Sequence, residues 1–243
     1  MTAVTTAPCA ARPAGLPTAL TPEGTQAVFR ATLDALARPG TVRRLPTAEV
    51  EPLAGHVPAA LLPLLALADL STRVCVVGDE AGPGGDAGAL AALNEIVRVA
   101  TNAPRSALED ARLVAALRPL GPAELASLRV GTAAAPEDGA LACLAVTGVA
   151  AADDPAAIAS DGNDNDNDND NDNDNGTRLL LRLSGPGVPG SRAIVVTGLP
   201  AGFAAARGEL VGGFPAGADL LLIAPDGAVA GLPRTTSVNE EAV

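Results

Sequence analysis

The sequence predicts an α/β fold, a mixed sheet with helices on both faces. Three observations carry this reading. Apolar runs of strand length interleave with segments of helical periodicity along the chain. Two late runs, Asp219 to Ala224 and Ala228 to Leu232, are joined by Pro225-Asp226-Gly227, where proline presets φ and glycine takes a positive one, so at least one strand pair is a hairpin. A chain of 243 residues can bury one substantial core, which makes a single domain the default.

The elements follow in order. Thr21-Pro22 starts a helix with a capping hydroxyl and a proline at the first helical position. Phe29, Leu33 and Leu36 recur at i, i+4 and i+7 and predict its buried stripe, and Pro39-Gly40 stops it. Thr41 to Leu45 reads as a short strand, Ala59 to Asp69 as a helix and Arg73 to Val77 as a strand. Asp79 to Gly85 is a glycine-rich loop, after which Asp86 caps a helix carrying Leu90, Leu93 and Val97. Asp110 to Leu117 fits helix or strand by pattern. Pro122 to Val130 is a short helix with Gly131 as its terminator. Ala140 to Gly148, Thr177 to Ser184 and Arg192 to Val196 read as strands, and Ala201 to Leu210 as a helix before the final hairpin.

Composition excludes several functions. The formal net charge is −12, and seven of those charges (Asp161, Asp164, Asp166, Asp168, Asp170, Asp172, Asp174) lie in one low-complexity run, leaving the rest nearer −5. An acidic chain with three Phe and no Trp or Tyr lacks the residues that neutralise phosphates and stack bases, which argues against nucleic acid. All sixteen cations are Arg. Without lysine there is no Schiff base to a substrate or to pyridoxal phosphate, and no Walker A loop. Cys9, Cys75 and Cys143 are odd in number and lack C-x-x-C spacing, which points to buried thiols in a reducing, cytoplasmic compartment. Met1 to Leu20 has no apolar export segment and reads as a disordered leader. Pro58 to Leu70 is apolar but too short to span a bilayer.

Asn163 to Asn175 alternates Asn and Asp and buries no apolar area, so residues 153–176 are expected to be a disordered insert. The run lies between two predicted strands, where an insert is tolerated because loop-closure entropy grows slowly with length. A calcium loop would need a glycine at the bend and a bidentate Glu at the end, and both are missing. The domain is therefore expected over 21–238, interrupted by the insert and followed by a short tail, 239–243.

Candidate sites are sparse. Gly82-Pro-Gly84-Gly-Asp-Ala87 fits a dinucleotide pattern, but Pro83 stiffens the approach and no acid-ended strand follows at the required distance. Gly185-Pro-Gly187-Val-Pro-Gly190 leads into a strand, not a helix, and reads as a tight turn. His56, the one histidine, has no Ser or Cys partner nearby in sequence. The acidic pairs Asp79-Glu80, Glu109-Asp110, Glu137-Asp138 and Glu240-Glu241 read as solvated. Arg234, Thr235 and Thr236, set after the returning strand of the hairpin, suit an anion, a subunit interface or a solvated strand exit.

Five blocks stand in order along the chain. They are Phe29-Arg30-x-x-Leu33-Asp34-Ala35-x-x-Arg38-Pro39-Gly40, Thr101-Asn102-Ala103-Pro104, Gly131-Thr132-Ala133-x-x-Pro136-Glu137-x-Gly139, Leu183-Ser184-Gly185-Pro186-Gly187-Val188, and Phe214-Pro215-x-Gly217-x-Asp219 with Pro233-Arg234-Thr235-Thr236. Together they resemble the H subunit of bacterial carbon–phosphorus lyase, the PhnH family, over nearly the whole chain. The family often has a histidine just before the Thr101 position, where this chain has Ala100. The resemblance tips Asp110 to Leu117 to strand, and it implies a short hairpin turn where the Asn/Asp run stands, which makes that run an expanded loop tip. It implies a fold like that of pyridoxal-phosphate-dependent transferases without the cofactor, and a homodimer when isolated. It also implies a role in phosphonate catabolism: work with the G, I and L subunits in joining ATP and methylphosphonate to give α-D-ribose 1-methylphosphonate 5-triphosphate, and assembly with G, I and J into a core complex.

The expectation is thus a cofactor-free, non-catalytic scaffold subunit. Its cleft or interface would be lined by Thr101, Asn102, Gly131, Thr132, Glu137, Arg234, Thr235 and Thr236. The alternative is a transferase in its own right, with an anion-binding cleft around Arg234.

Overall fold

A computed structural model describes residues 19–46, 57–78, 87–153 and 177–242. His56, Cys9, the glycine-rich loop, Asp86, Asp79-Glu80, residues 1–18 of the leader and the Asn/Asp run lie outside them.

The described residues form two sheets. The larger has six strands: β1 (Arg43–Arg44), β2 (Val74–Val77), β3 (Leu113–Ala116), β4 (Leu141–Ala145), β8 (Asp219–Ile223) and β9 (Ala228–Leu232), in the order β1-β9-β8-β4-β3-β2. Strands β2, β3, β4 and β8 run parallel, while β9 returns antiparallel from β8 and pairs β1 at the edge. The fold is therefore α/β with a mixed sheet. The final hairpin forms as its turn chemistry requires, with Gly227 at φ 84° and Asp226 accepting from the Ala228 N–H at 3.0 Å.

A second sheet is not legible in the sequence as such. Strands β5 (Gly148–Ala151), β6 (Arg178–Ser184), β7 (Ser191–Thr197) and β10 (Ser237–Ala242) pair antiparallel in the order β10-β6-β7-β5. One expectation changes here. Strands β5 and β6 flank β7 on opposite sides and run parallel to each other, so the strands on either side of the insert are not hairpin neighbours. Asn239 to Ala242 continue the β10 ladder on β6. The Gly185–Gly190 turn does join β6 to β7, with Gly187 and Gly190 at positive φ.

Helices cover both faces of the large sheet. Helices α1 (Pro22–Ala37), α2 (Leu62–Leu67) and α3 (Ala87–Thr101) share one core with Val74, Val76, Leu113, Ala115, Cys143, Leu221 and Ile223. Helices α4 (Pro122–Ser127) and α5 (Phe203–Val211) share the other with the second sheet and with Val114, Ala116, Ala142, Leu144, Leu220 and Leu222. The two sets alternate along every strand. Burial on both faces is why Leu220 to Ile223 is a continuous apolar run. Leu179, Leu181 and Leu183 of β6 face the second core together, as their spacing predicts. Nothing in this topology singles out the pyridoxal-phosphate-dependent transferase architecture. No helix of the described residues is long and apolar enough to cross a membrane.

Helix α1 begins as expected, the Gly24 N–H donating to Thr21 Oγ1 at 3.0 Å. Its buried face is different from the predicted one. Gly24, Val28, Thr32 and Ala35 are buried, while Phe29 and Leu33 stand 45% and 54% exposed. The small residues face the sheet because the helix backbone approaches it closely: a Cβ on Gly231 of β9 would lie 2.4 Å from the Ala35 carbonyl oxygen. A large side chain on that face would push the helix away.

Helix α4 carries a pH signal. Glu124 Oε2 accepts from the Gly121 N–H at 3.0 Å, and its carboxylate pairs Arg118 at 2.7 and 2.8 Å. The Arg118 guanidinium and the Gly121 amide hold its pKa down at about 2, against an ordinary 4.5. A depressed folded-state pKa contributes stability that is present above about 4.5 and lost as pH falls toward about 2. Urea midpoints measured from pH 5 to 2 are therefore expected to fall more steeply for the wild type than for Glu124→Gln; parallel slopes would refute the assignment.

Candidate functional site

Three segments meet at the N-terminal end of the parallel strands: the loop before β4, the loop before β8, and the exit from β9. Gly131 does not terminate α4, which ends at Ser127; it opens the first loop instead, at φ 69°. Val130 bridges Gly139 across that loop, and the Ala135 N–H donates to Thr132 Oγ1 at 3.0 Å. A Cβ on Gly139 would lie 2.2 Å from the Gly217 carbonyl oxygen, so the second loop passes directly over the first.

Arg234 locks the three segments together. Its backbone N–H donates to Asp219 Oδ1 at 2.7 Å, and Nη2 reaches Asp219 Oδ2 at 2.7 Å, with Nε sharing both oxygens at 3.2 and 3.3 Å. Nη1 donates to the Pro136 carbonyl at 2.6 Å. The Arg234 side chain is 14% exposed, and Asp219 matches its charge. Glu137 enters the same network through its backbone, its carbonyl accepting from Arg112 Nη2 at 2.6 Å. The Asp138 carbonyl accepts from Arg129 Nε at 2.7 Å. Thr235 is exposed and Thr236 buried in the turn that follows, where the Thr236 N–H donates to the Pro233 carbonyl at 2.9 Å.

Thr101 and Asn102 lie apart from this cluster. Thr101 Oγ1 donates to the Val97 carbonyl at 2.8 Å and accepts from the Ala103 N–H at 3.1 Å, which closes α3. Asn102 takes the left-handed conformation, φ 54°, that its short polar side chain tolerates. The Pro104 carbonyl then accepts from the Val74 N–H at 3.0 Å, fixing the chain to β2. Strand β2 is three places from β8, or about 14 Å. The eight residues share one end of the sheet but split into a group of six and this pair. Ala100 is half-buried against the α1–α3 core.

That end is unusual for catalysis. Ligands of open α/β sheets bind beyond the carboxyl ends of the strands. At the carboxyl end here is a cavity of about 260 Å³ whose described lining is wholly apolar, including Val57, Pro58, Leu117, Val146 and Pro225. Of the thiols, Cys143 is buried and pushed up to about 12, and burial also raises half-buried Cys75. Neither carries the thiolate that a nucleophile needs. Among the described residues no three of His, Cys, Asp or Glu gather as metal ligands.

Of two further residues in this region, Arg207 escaped the sequence reading and Glu240, expected to be solvated, has fixed partners. Arg207 of α5 is 2% exposed. It donates from Nη1 to the Thr236 carbonyl at 2.9 Å and from Nη2 to the Pro233 and Leu232 carbonyls at 2.7 and 3.4 Å. Burial lowers its pKa to about 10, with Asp219 opposing, so it is a cation at neutral pH. The signal was present: Phe203, Arg207 and Leu210 recur at i, i+4 and i+7 and form the buried stripe of the helix. Glu240 caps that helix, its carboxylate accepting from the Gly202 and Ala204 N–H groups at 3.0 and 3.1 Å. Its neighbour Glu241 pairs Arg182 across the strands at 3.0 Å, so both members of this acidic pair have fixed partners.

Residues 18–239 match the model of a protein family described as bacterial phosphonate metabolism protein (PhnH). No curated protein matches the chain.

Proposed function

Because the chain belongs to the PhnH family of bacterial phosphonate metabolism proteins, we propose that it serves that metabolism as a non-autonomous subunit of a carbon–phosphorus lyase system. The observation that carries this reading is the use made of the family-like blocks. Arg234 binds Asp219 and the Pro136 carbonyl, Thr132 accepts from the Ala135 N–H, Glu137 gives its backbone carbonyl to Arg112, and the glycines pack closely, all at the end of the sheet opposite the usual ligand position. Such a knot holds a surface in shape. It pairs no nucleophile with a general base.

In this reading the subunit is cytoplasmic, homodimeric when isolated, and docks to the G, I and J subunits. With G, I and L it supports formation of α-D-ribose 1-methylphosphonate 5-triphosphate from ATP and methylphosphonate. The exposed apolar pair Phe29 and Leu33, inside the first family-like block, supports a contact role for α1. The rival reading, a transferase clamping an anion with Arg234, requires that residue to give up Asp219 first, and the geometry does not favour it.

The test is turnover by omission. The purified chain, given ATP and methylphosphonate, is expected to release no adenine above background. A mixture with G, I and L is expected to release it only when this chain is present. Turnover by this chain alone would overthrow the reading.

A further inference from the structure

A cleft of about 540 Å³ opens beside α5, within the range of small-ligand sites. Arg207, Arg234, Thr235, Thr236 and Ser237 line it, with Phe214, 65% exposed, in the apolar part of its wall. Among the described residues, no Asp or Glu lines it. Arg234 is neutralised by Asp219. Arg207 is not: among the described residues its hydrogen-bond partners are backbone carbonyls, and no carboxylate forms an ion pair with it. Two guanidinium groups against one carboxylate leave one positive charge in a largely dry place, which is costly unless something counters it.

Two buried polar atoms here also lack partners, Arg207 Nε and Thr236 Oγ1. Both residues are 2% exposed and both line the cleft. Unpaired buried polar atoms are rare in folded proteins and call for a cause. An uncompensated guanidinium and an unpaired hydroxyl in one cleft, with two further hydroxyls nearby, are the donors that an oxyanion accepts from.

We propose that this cleft binds a small tetrahedral oxyanion of the phosphate or phosphonate type. Arg207 supplies the charge and Thr236 a hydroxyl donor, Thr235 and Ser237 border it, and the apolar wall at Phe214 takes a short organic substituent. The site is distinct from an Arg234 clamp, and it stands or falls apart from the scaffold reading, because it is tested on this chain alone.

Calorimetric titration of the full chain with inorganic phosphate and with methylphosphonate, at fixed ionic strength, tests it. Both are expected to bind saturably, methylphosphonate the more tightly. Thr236→Val is expected to weaken binding about tenfold, the scale of one hydrogen bond to a charged ligand. It should leave the melting temperature no lower, because the hydroxyl has no protein partner. Gly208 also lines the cleft, and a Cβ there would meet nothing within 4 Å, so Gly208→Leu fills the space in a folded protein and is expected to abolish binding. Absence of saturable binding by the wild type, or unchanged affinity in either variant, overturns the site. Tighter binding of phosphate than of methylphosphonate overturns the part given to the apolar wall.

Discussion

Replacing Gly231 by alanine is expected to destabilise the protein by on the order of 3 kcal/mol, the upper range for overpacking a core. The added methyl would lie 2.4 Å from the Ala35 oxygen, 2.6 Å from the Ala35 carbonyl carbon and 2.7 Å from the Leu36 nitrogen. These are backbone atoms in the last turn of α1, so no rotamer change relieves the clash. Either α1 lifts from β9 or the hairpin distorts. The effect is steric, since Gly231 is not among the glycines with positive φ. Urea unfolding is expected to show a lower midpoint at unchanged slope. A loss below about 0.5 kcal/mol would mean that α1 does not pack as described.

The second large effect belongs to the Arg234–Asp219 pair. Its side chains are 14% and 26% exposed, so truncating either partner leaves a poorly solvated charge alone. Losses of about 3 kcal/mol are expected for Arg234→Ala and for Asp219→Ala, and much of that should be recovered in the double variant with apolar replacements. A double-mutant cycle on urea unfolding measures the coupling directly. The outcome separates two roles. A knot at the strand ends predicts an unstable Arg234→Ala variant with strong coupling to Asp219. An anion clamp predicts a variant of near-normal stability that has lost only a ligand.

Where the sequence was legible, it was so for local reasons. Thr21-Pro22 and Pro225-Asp226-Gly227 carry their own turn and cap chemistry, and each forms as spaced. The continuous run Leu220 to Ile223 marks a strand covered on both sides, and the β6 alternation marks one covered on a single side. Where it misled, a long-range contact had decided. Phe29 and Leu33 have ideal helical spacing, yet the small-residue face of α1 is buried because Gly231 lets the helix come close. The β5–β6 segments are adjacent in sequence but are parted by β7, whose place depends on the whole second sheet.

The site divides in the same way. The six clustered residues were visible as blocks, and the structure brings them together while leaving Thr101 and Asn102 at β2. Arg207 was missed because an arginine in an alanine-rich helix reads as solvent-facing. Only its register with Phe203 and Leu210 betrays burial. Glu240 reads as solvated because its partner amides are far away in sequence.

The most direct test of the scaffold account is co-expression of this chain with the G, I and J subunits, followed by size exclusion with mass determination. The account predicts co-migration in one fixed ratio that survives dilution. A free dimer of this chain, eluting apart from all three partners, would contradict it.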